Sequence, residues 1–178
     1  MATWHVDPSH TEVGFTVKHL QFSQVSGRFT DVSGKVVGDP EDLTSAKATL
    51  EINAASVHTG SEDRDKHLLG DDFFAVDQYP TITFTSKKVT KNGDDRYTMT
   101  GDIVIRGITK EIDLDVEFRG RAINPFDKDV AAYDIRGSIS RKDFGIMWNM
   151  PLPAGGFLLD DEVKLHITTQ TAREQDES

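Results

Sequence analysis

From Ile112 to Phe118 every second residue is apolar, with Ile112, Leu114, Val116 and Phe118 interleaved by Asp113, Asp115 and Glu117. Successive side chains of an extended chain point to opposite faces, so this run specifies a half-buried strand with one apolar and one acidic face. The pattern recurs. Ala46, Ala48, Leu50 and Ile52 alternate with Lys47, Thr49, Glu51 and Asn53, and Val13, Phe15 and Val17 with Glu12, Gly14, Thr16 and Lys18. Further runs over 29–37, 81–89, 96–105, 130–140 and 162–171 are rich in Thr and Val, as strand positions favour. About eight strands with one apolar face each must hide those faces, and a closed barrel does so without exposed edges. The fold class is therefore all-β, an extended eight-stranded antiparallel barrel, with a two-sheet sandwich as the competing geometry.

The connections agree with antiparallel order. Asn92-Gly93 is a hairpin signal between the runs ending at Val89 and starting at Arg96, and the two-residue link Arg106-Gly107 forces Ile105 and Ile108 to pair. Residues 81–119 thus read as a three-stranded meander, and Gly38-Asp39-Pro40-Glu41-Asp42 as another turn. Two segments break the rhythm. Ser61 to Gly70 reads as a short helix inside an insert centred on residues 61–75, with Ser61 as N-cap, acids in the first turn and Gly70 at its end. Residues 141–161 combine Gly and Pro with large apolar side chains, and loops this long cover or build sites. One domain is expected over 1–172, with residues 173–178 as an acidic disordered tail.

Charge and composition narrow the function. The net charge of −10, from 30 acidic and 20 basic residues, repels phosphate backbones, so nucleic acid is excluded as a partner. The chain has no cysteine, which removes disulfides, thiol nucleophiles and Cys-ligated metals. No apolar stretch approaches the about 20 residues of a membrane helix. The start, Met1 to Pro8, lacks the basic and apolar regions of a signal peptide, so a cytoplasmic location is expected, or a periplasmic or secreted one where a leader has been removed. Gly-x-Ser-x-Gly, His-Glu-x-x-His and phosphate-cradling glycine motifs are all missing. His58 and His67 with Asp71 and Asp72 are better explained as solvated loop residues than as metal ligands, and no catalytic residue, metal or cofactor is expected.

Two features exceed what loops need. Arg64-Asp65 stands beside Leu68, Leu69, Phe73 and Phe74, combining an ion pair with an apolar face, as a lid on the barrel end or a ligand gate would. The run Arg141-Lys142-Asp143-Phe144-Gly145-Ile146-Met147-Trp148 carries bulk enough for a core plug or a pocket wall.

The residues also carry a resemblance. Trp4-x-Val6-Asp7-Pro8-x-His10-Thr11, Phe15-x-Val17-Lys18-His19, Gly27-x-Phe29, Thr59, Arg64-Asp65-x-x-Leu68, Asp72-Phe73-Phe74 and Tyr79-Pro80 occur in that order. Ile82-x-Phe84, Gly101, Ile105-Arg106-Gly107-Ile108-Thr109, Arg141-x-Asp143-Phe144-Gly145 and Asp160-Asp161-x-Val163 complete the series. Together these resemble the YceI-like family from residue 4 to about residue 170. The resemblance implies a lipocalin-like barrel that binds polyisoprenoids or other long amphiphilic lipids, in some members as a homodimer, with a link to isoprenoid quinone metabolism in envelope members that carry a leader.

The expected function is non-catalytic holding or transport of such a lipid, the only bound molecule being an isoprenoid or fatty-acid-type chain. A structural or stress-protective barrel and a small hydrolase or isomerase are the alternatives. Phe15, Val17, Phe29, Leu50, Ile52, Phe84, Met99, Ile103, Leu114 and Val116 are expected to face inward. Ala46, Ala48, Gly14, Gly101 and Gly137 are expected to leave room, and Leu68, Leu69, Phe73, Phe74, Phe144 and Trp148 to complete the wall. Arg64, His67 and Arg141 are the head-group candidates, since a guanidinium suits a diphosphate or carboxylate.

Overall fold

The alternating runs become eleven strands in a computed structural model that describes residues 1–176. In chain order they are β1 (Thr3–Val6), β2 (Glu12–His19), β3 (Ser23–Phe29), β4 (Val32–Asp39), β5 (Asp42–Asn53), β6 (Val57–His58), β7 (Thr81–Gly93), β8 (Arg96–Ile105), β9 (Ile108–Ile123), β10 (Asp129–Ser140) and β11 (Leu159–Arg173). One helix, α1 (Glu62–Leu69), lies between β6 and β7. Every pairing is antiparallel, and the order β1-β4-β5-β7-β8-β9-β10-β11 returns to β1. That ring is a closed eight-stranded barrel, not a sandwich.

The remaining three strands lengthen it. β1 and β2 lie one after the other along β11, with Trp4 opposite Arg173 and Phe15 opposite Leu165. Between them Pro8, which has no N–H, opens a single 3-10 turn capped by Asp7, and the Asp7 N–H still reaches Gln170 O at 2.9 Å. The β3/β4 and β5/β6 pairs are likewise single long strands broken side by side. There the Ser56 hydroxyl accepts the Thr30 and Asp31 N–H groups, each at 3.1 Å. The fifteen residues of β11 alone run about 50 Å at about 3.3 Å per residue. The barrel is a long tube.

Its two ends differ. At one end Trp4 is buried beneath the Arg121 guanidinium, 5.1 Å from the ring, and Arg121 forks onto Asp129 at 2.9 and 2.7 Å. Leu43, Tyr97 and Thr171 are as deeply buried as Trp4. At the other end β7 pairs with β5 only as far as Asn53, so the wall between β6 and β7 is completed by α1 and the turns after it.

Three sequence expectations need correction. The hairpin after β7 turns at Asp94-Asp95, where Asp95 takes the left-handed φ of 58°, while Gly93 stays in the strand beside a bulge. Arg173 belongs to β11 and the Glu174 N–H reaches Thr3 O at 2.8 Å, so the tail does not begin at 173; residues 177–178 lie outside the described residues. Arg64 and Asp65 do not pair with each other; both grip Thr59, as described below.

Acid should weaken the tube. Hydrogen bonding to Arg121 holds the Asp129 carboxyl below its ordinary value of 3.8, and hydrogen bonding from His166 does the same for Asp134. Both carboxyls lose their protons more readily folded than unfolded, so their contribution is complete above pH 3.8 and is lost as pH falls through the lower folded values. Urea midpoints are expected to be level down to about pH 5 and to drop below about pH 4, each pair being worth about 1 kcal/mol. Asp129→Asn should flatten that drop.

Candidate functional site

The inward faces do not meet at the centre. They enclose a cavity of about 530 Å³, running from His19, Trp148 and Leu158 at the open end to Val6, Thr169 and Thr171 at the plugged end. This lies within the range of small-molecule sites, about 300 to 1,000 Å³. Three glycines help to keep the tube hollow, though not by leaving gaps. A Cβ on Gly27 would strike the Phe15 ring at 2.4 Å, one on Gly101 the Phe84 ring at 2.5 Å, and one on Gly137 the Leu114 side chain at 2.7 Å. Each large side chain sits over a glycine, against the wall instead of across the bore. The expectation that Gly101 and Gly137 are vacant is thereby corrected. Gly14 pairs with His166 and Arg28 in the outward register, so it lines the cavity through its backbone and a side chain there would point away from the bore. Ala48 lines the cavity, whereas Ala46 is buried against Gly38.

Gly101→Ala should therefore destabilise. Its Cβ would also lie 2.5 Å from the Thr85 carbonyl oxygen, which is backbone of the neighbouring strand. Overpacking of this kind costs about 1–3 kcal/mol. A urea midpoint equal to that of the parent would contradict this placement of the Phe84 ring.

The open end is built by α1 and the 141–158 segment. Ser61 caps α1 by accepting the Arg64 N–H, and acids fill the first turn, as the sequence implies. Arg64 donates through Nε to Thr59 Oγ1 and through Nη2 to Thr59 O, both at 2.8 Å. Asp65 Oδ1 accepts from the Thr59 N–H at 2.9 Å and its hydroxyl at 2.6 Å. Two charges thus fasten the helix to one threonine. Arg106, in the turn between β8 and β9, donates to Asp71 O at 2.8 Å and Phe73 O at 3.0 Å, holding the turns after α1. His67 pairs with Asp72 at 2.9 Å and stands edge-on to Phe73 and Trp148, with ring centroids at 4.9 and 4.8 Å.

Arg141 organises the other half. It is only 4% exposed. Nε donates to Asp160 O at 2.9 Å, and Nη1 to Ile146 O and Trp148 O at 2.9 and 2.8 Å. Nη2 has no hydrogen-bond partner, and the nearest carboxylate oxygen, Asp161 Oδ1, is 3.8 Å away. Burial pushes the guanidinium below its ordinary pKa, while Asp161 and Asp160 hold it up. Phe144, 1% exposed, plugs the wall beside it.

Eighteen of the nineteen side chains proposed from sequence line this one cavity. They are Phe15, Val17, Phe29, Leu50, Ile52, Arg64, His67, Leu68, Phe73, Phe74, Phe84, Met99, Ile103, Leu114, Val116, Arg141, Phe144 and Trp148. Leu69 does not. Its carbonyl accepts the Val76 N–H, and its half-buried side chain packs against the hydrophobic core without lining the cavity. Sequence reasoning missed Tyr133, Ile135 and Ile139 of β10 and Val163, Leu165, Ile167, Thr169 and Thr171 of β11, although their alternation is plain.

The chemistry of the wall is quiet. Thr11 and Thr169 hydroxyls bond to each other at 2.8 Å, and the Thr171 hydroxyl donates to Ala131 O at 3.0 Å. Burial pushes the Tyr133 hydroxyl far above its ordinary pKa, so it stays neutral. Neither cavity-lining imidazole, that of His19 nor that of His67, hydrogen-bonds a serine, threonine or lysine; the Ser23 hydroxyl donates to the His19 backbone carbonyl instead, at 2.8 Å. Among the described residues no three His, Asp or Glu side chains gather in a metal-holding group.

Comparison with known proteins gives a consistent picture. A model of the YceI-like domain family matches residues 4–171. A UPF0312 protein of Staphylococcus aureus is 38% identical over 171 residues, covering 96% of this chain and 97% of its own. The crystal structure of a YceI protein from Campylobacter jejuni superposes with a TM-score of 0.74 at 37% identity, over 96% of each chain. A polyisoprenoid-binding domain of Saccharophagus degradans, implicated in plant cell wall breakdown, shares the fold at a TM-score of 0.71 and 15% identity, covering 96% of this chain and 98% of its own.

Proposed function

This chain belongs to the YceI-like family, and on that premise we propose that its barrel holds one long-chain amphiphilic lipid of polyisoprenoid type without converting it. The observation that carries this reading is the cavity, a continuous bore of about 530 Å³ walled by aliphatic and aromatic side chains and open at one end. A barrel with a merely structural role would be filled by its own side chains. The polyisoprenoid-binding domain with the same fold supports the choice of chain.

Affinity comes from the tail. Removing a methylene from water contributes about 0.8 kcal/mol, so one isoprene unit contributes about 4 kcal/mol gross. A few units outweigh the cost of association. Arg64, His67 and Arg141 spend most of their donors on Thr59, Asp72 and the 146–160 carbonyls, Arg141 Nη2 alone among them being buried without a partner. Their part in head-group choice is to fix the shape of the mouth.

A length series tests the proposal. Polyprenols of increasing length displace a fluorescent polyene fatty acid from the purified protein. Affinity is expected to climb with each unit until the bore is full and then to level off. A protein that takes up neither the polyene nor any polyprenol contradicts the reading.

A further inference from the structure

Resting on the reading above, we propose that the open end is a docking surface for an electrically neutral lipid bilayer, on which the barrel collects and delivers its ligand. Eight large hydrophobic side chains are exposed among the described residues, and five of them gather at this end: Phe22, Ile108, Met147, Met150 and Phe157. Phe22 is 86% exposed, Met147 60%, Phe157 58% and Met150 52%.

They form one rim. The Leu20 N–H donates to Leu158 O at 2.9 Å, which ties the turn between β2 and β3 to the 150–158 loop. The Leu158 N–H reaches Met150 O at 2.9 Å, and Pro151 bridges to Phe157. A Cβ on Gly145 would lie 3.6 Å from Ile108, so the β8–β9 turn borders the same surface near Met147. Along the loop the chain turns alternately in and out: Trp148 and Leu158 line the cavity while Met147 and Phe157 face away from it. The apolar rim is thus continuous with the apolar bore.

The backbone presents this rim at a cost. Leu20 and Gln21 sit at φ 57° and 66°, a left-handed turn normally made with Asn or Gly. A bulky residue there is strained, and strain of this kind gathers where a segment is held for function. Its product is a phenylalanine pushed into solvent.

The occupant follows from ligand and charge. A polyisoprenoid tail reaches the bore without crossing water only if the rim meets the phase that dissolves it. A second copy would set one mouth against the other, closing both to that phase, and would bring together two chains of net charge −10. An anionic surface is disfavoured for the same reason: Asp143, Asp160 and Asp161 stand beside the rim, and the one lysine among them, Lys142, is paired with Asp161 at 3.3 Å. A neutral bilayer offers apolar depth without charge, and interfacial binding scales with buried apolar area. No helix of the described residues is long and apolar enough to cross a membrane, so the contact proposed is superficial.

The test follows transfer of a fluorescent polyprenol from phosphatidylcholine vesicles to the protein. Docking predicts a rate that rises with vesicle concentration, at least about tenfold slower in Phe22→Ser/Phe157→Ser, and slower on vesicles containing phosphatidylglycerol. Both phenylalanines are exposed, and the thermal midpoint checks that the variant folds. Ligand added from ethanol should bind parent and variant equally, which separates failure of docking from failure of the cavity reading. A rate independent of vesicle concentration, a variant as fast as the parent, or faster transfer from the anionic vesicles would overturn the proposal. So would a parent that is dimeric by ultracentrifugation while the variant is monomeric.

Discussion

Arg141→Met is expected to lower the thermal unfolding midpoint by roughly 10 °C and to free the loop that closes the mouth. The guanidinium is 4% exposed and donates to three backbone carbonyls, those of Asp160, Ile146 and Trp148. Methionine fills much of the volume but donates nothing. Buried groups left without a partner cost about 1–3 kcal/mol each. Relief of the unpartnered Nη2 returns part of that sum. A net loss of about 4 kcal/mol, at about 2–4 °C per kcal/mol for a chain of this size, gives the stated shift. Lysine should not rescue it, because one ammonium cannot reproduce the planar fork that serves three carbonyls. Hydrogen exchange should quicken from Ile146 to Asp160 and stay slow in β8 and β9. A melting point within about 2 °C of the parent would show that the loop stands without Arg141.

The small side chain at position 48 sets up the second large effect: Ala48→Phe is expected to weaken polyprenol binding at least about a hundredfold while leaving the fold intact. Ala48 pairs with Val36 across β4 and β5, and both line the cavity. A benzyl group there enters the bore on the ladder that runs through Val36 to Trp4 and denies the tail the space it fills. Losing even one isoprene unit of burial removes about 4 kcal/mol gross, more than enough for the stated change. The new ring meets open space, so overpacking strain is small and the melting point should hold or rise. Unchanged affinity in a folded variant would place the ligand elsewhere.

The parts legible in the sequence were those set by local pattern. The alternation of Ile112, Leu114 and Val116 put all three on the cavity wall, and Arg106-Gly107 turned where the two-residue link required. Ser61 and Gly70 bounded α1 as capping chemistry dictates. What escaped was decided by partners distant in the chain. Gly101 looks like vacant space until the Phe84 ring from β7 is seen to lie over it. Arg64 and Asp65 look like an ion pair until Thr59 arrives between them. Asn92-Gly93 is the better turn by propensity. A bulge in β7 moves the reversal to Asp94-Asp95, where aspartate tolerates the left-handed backbone. Arg106 gave no sign that it would hold Asp71 and Phe73, since its neighbours mark only a turn.

The most direct measurement is native mass spectrometry of freshly purified protein, followed by organic extraction and identification of what is released. The account predicts a 1:1 adduct whose extract is a lipid with a long apolar tail, and an Ala48→Phe protein that comes away without it. A parent protein that purifies at its bare mass, and stays there after incubation with polyprenols and fatty acids, would contradict the claim that the bore exists to hold a chain.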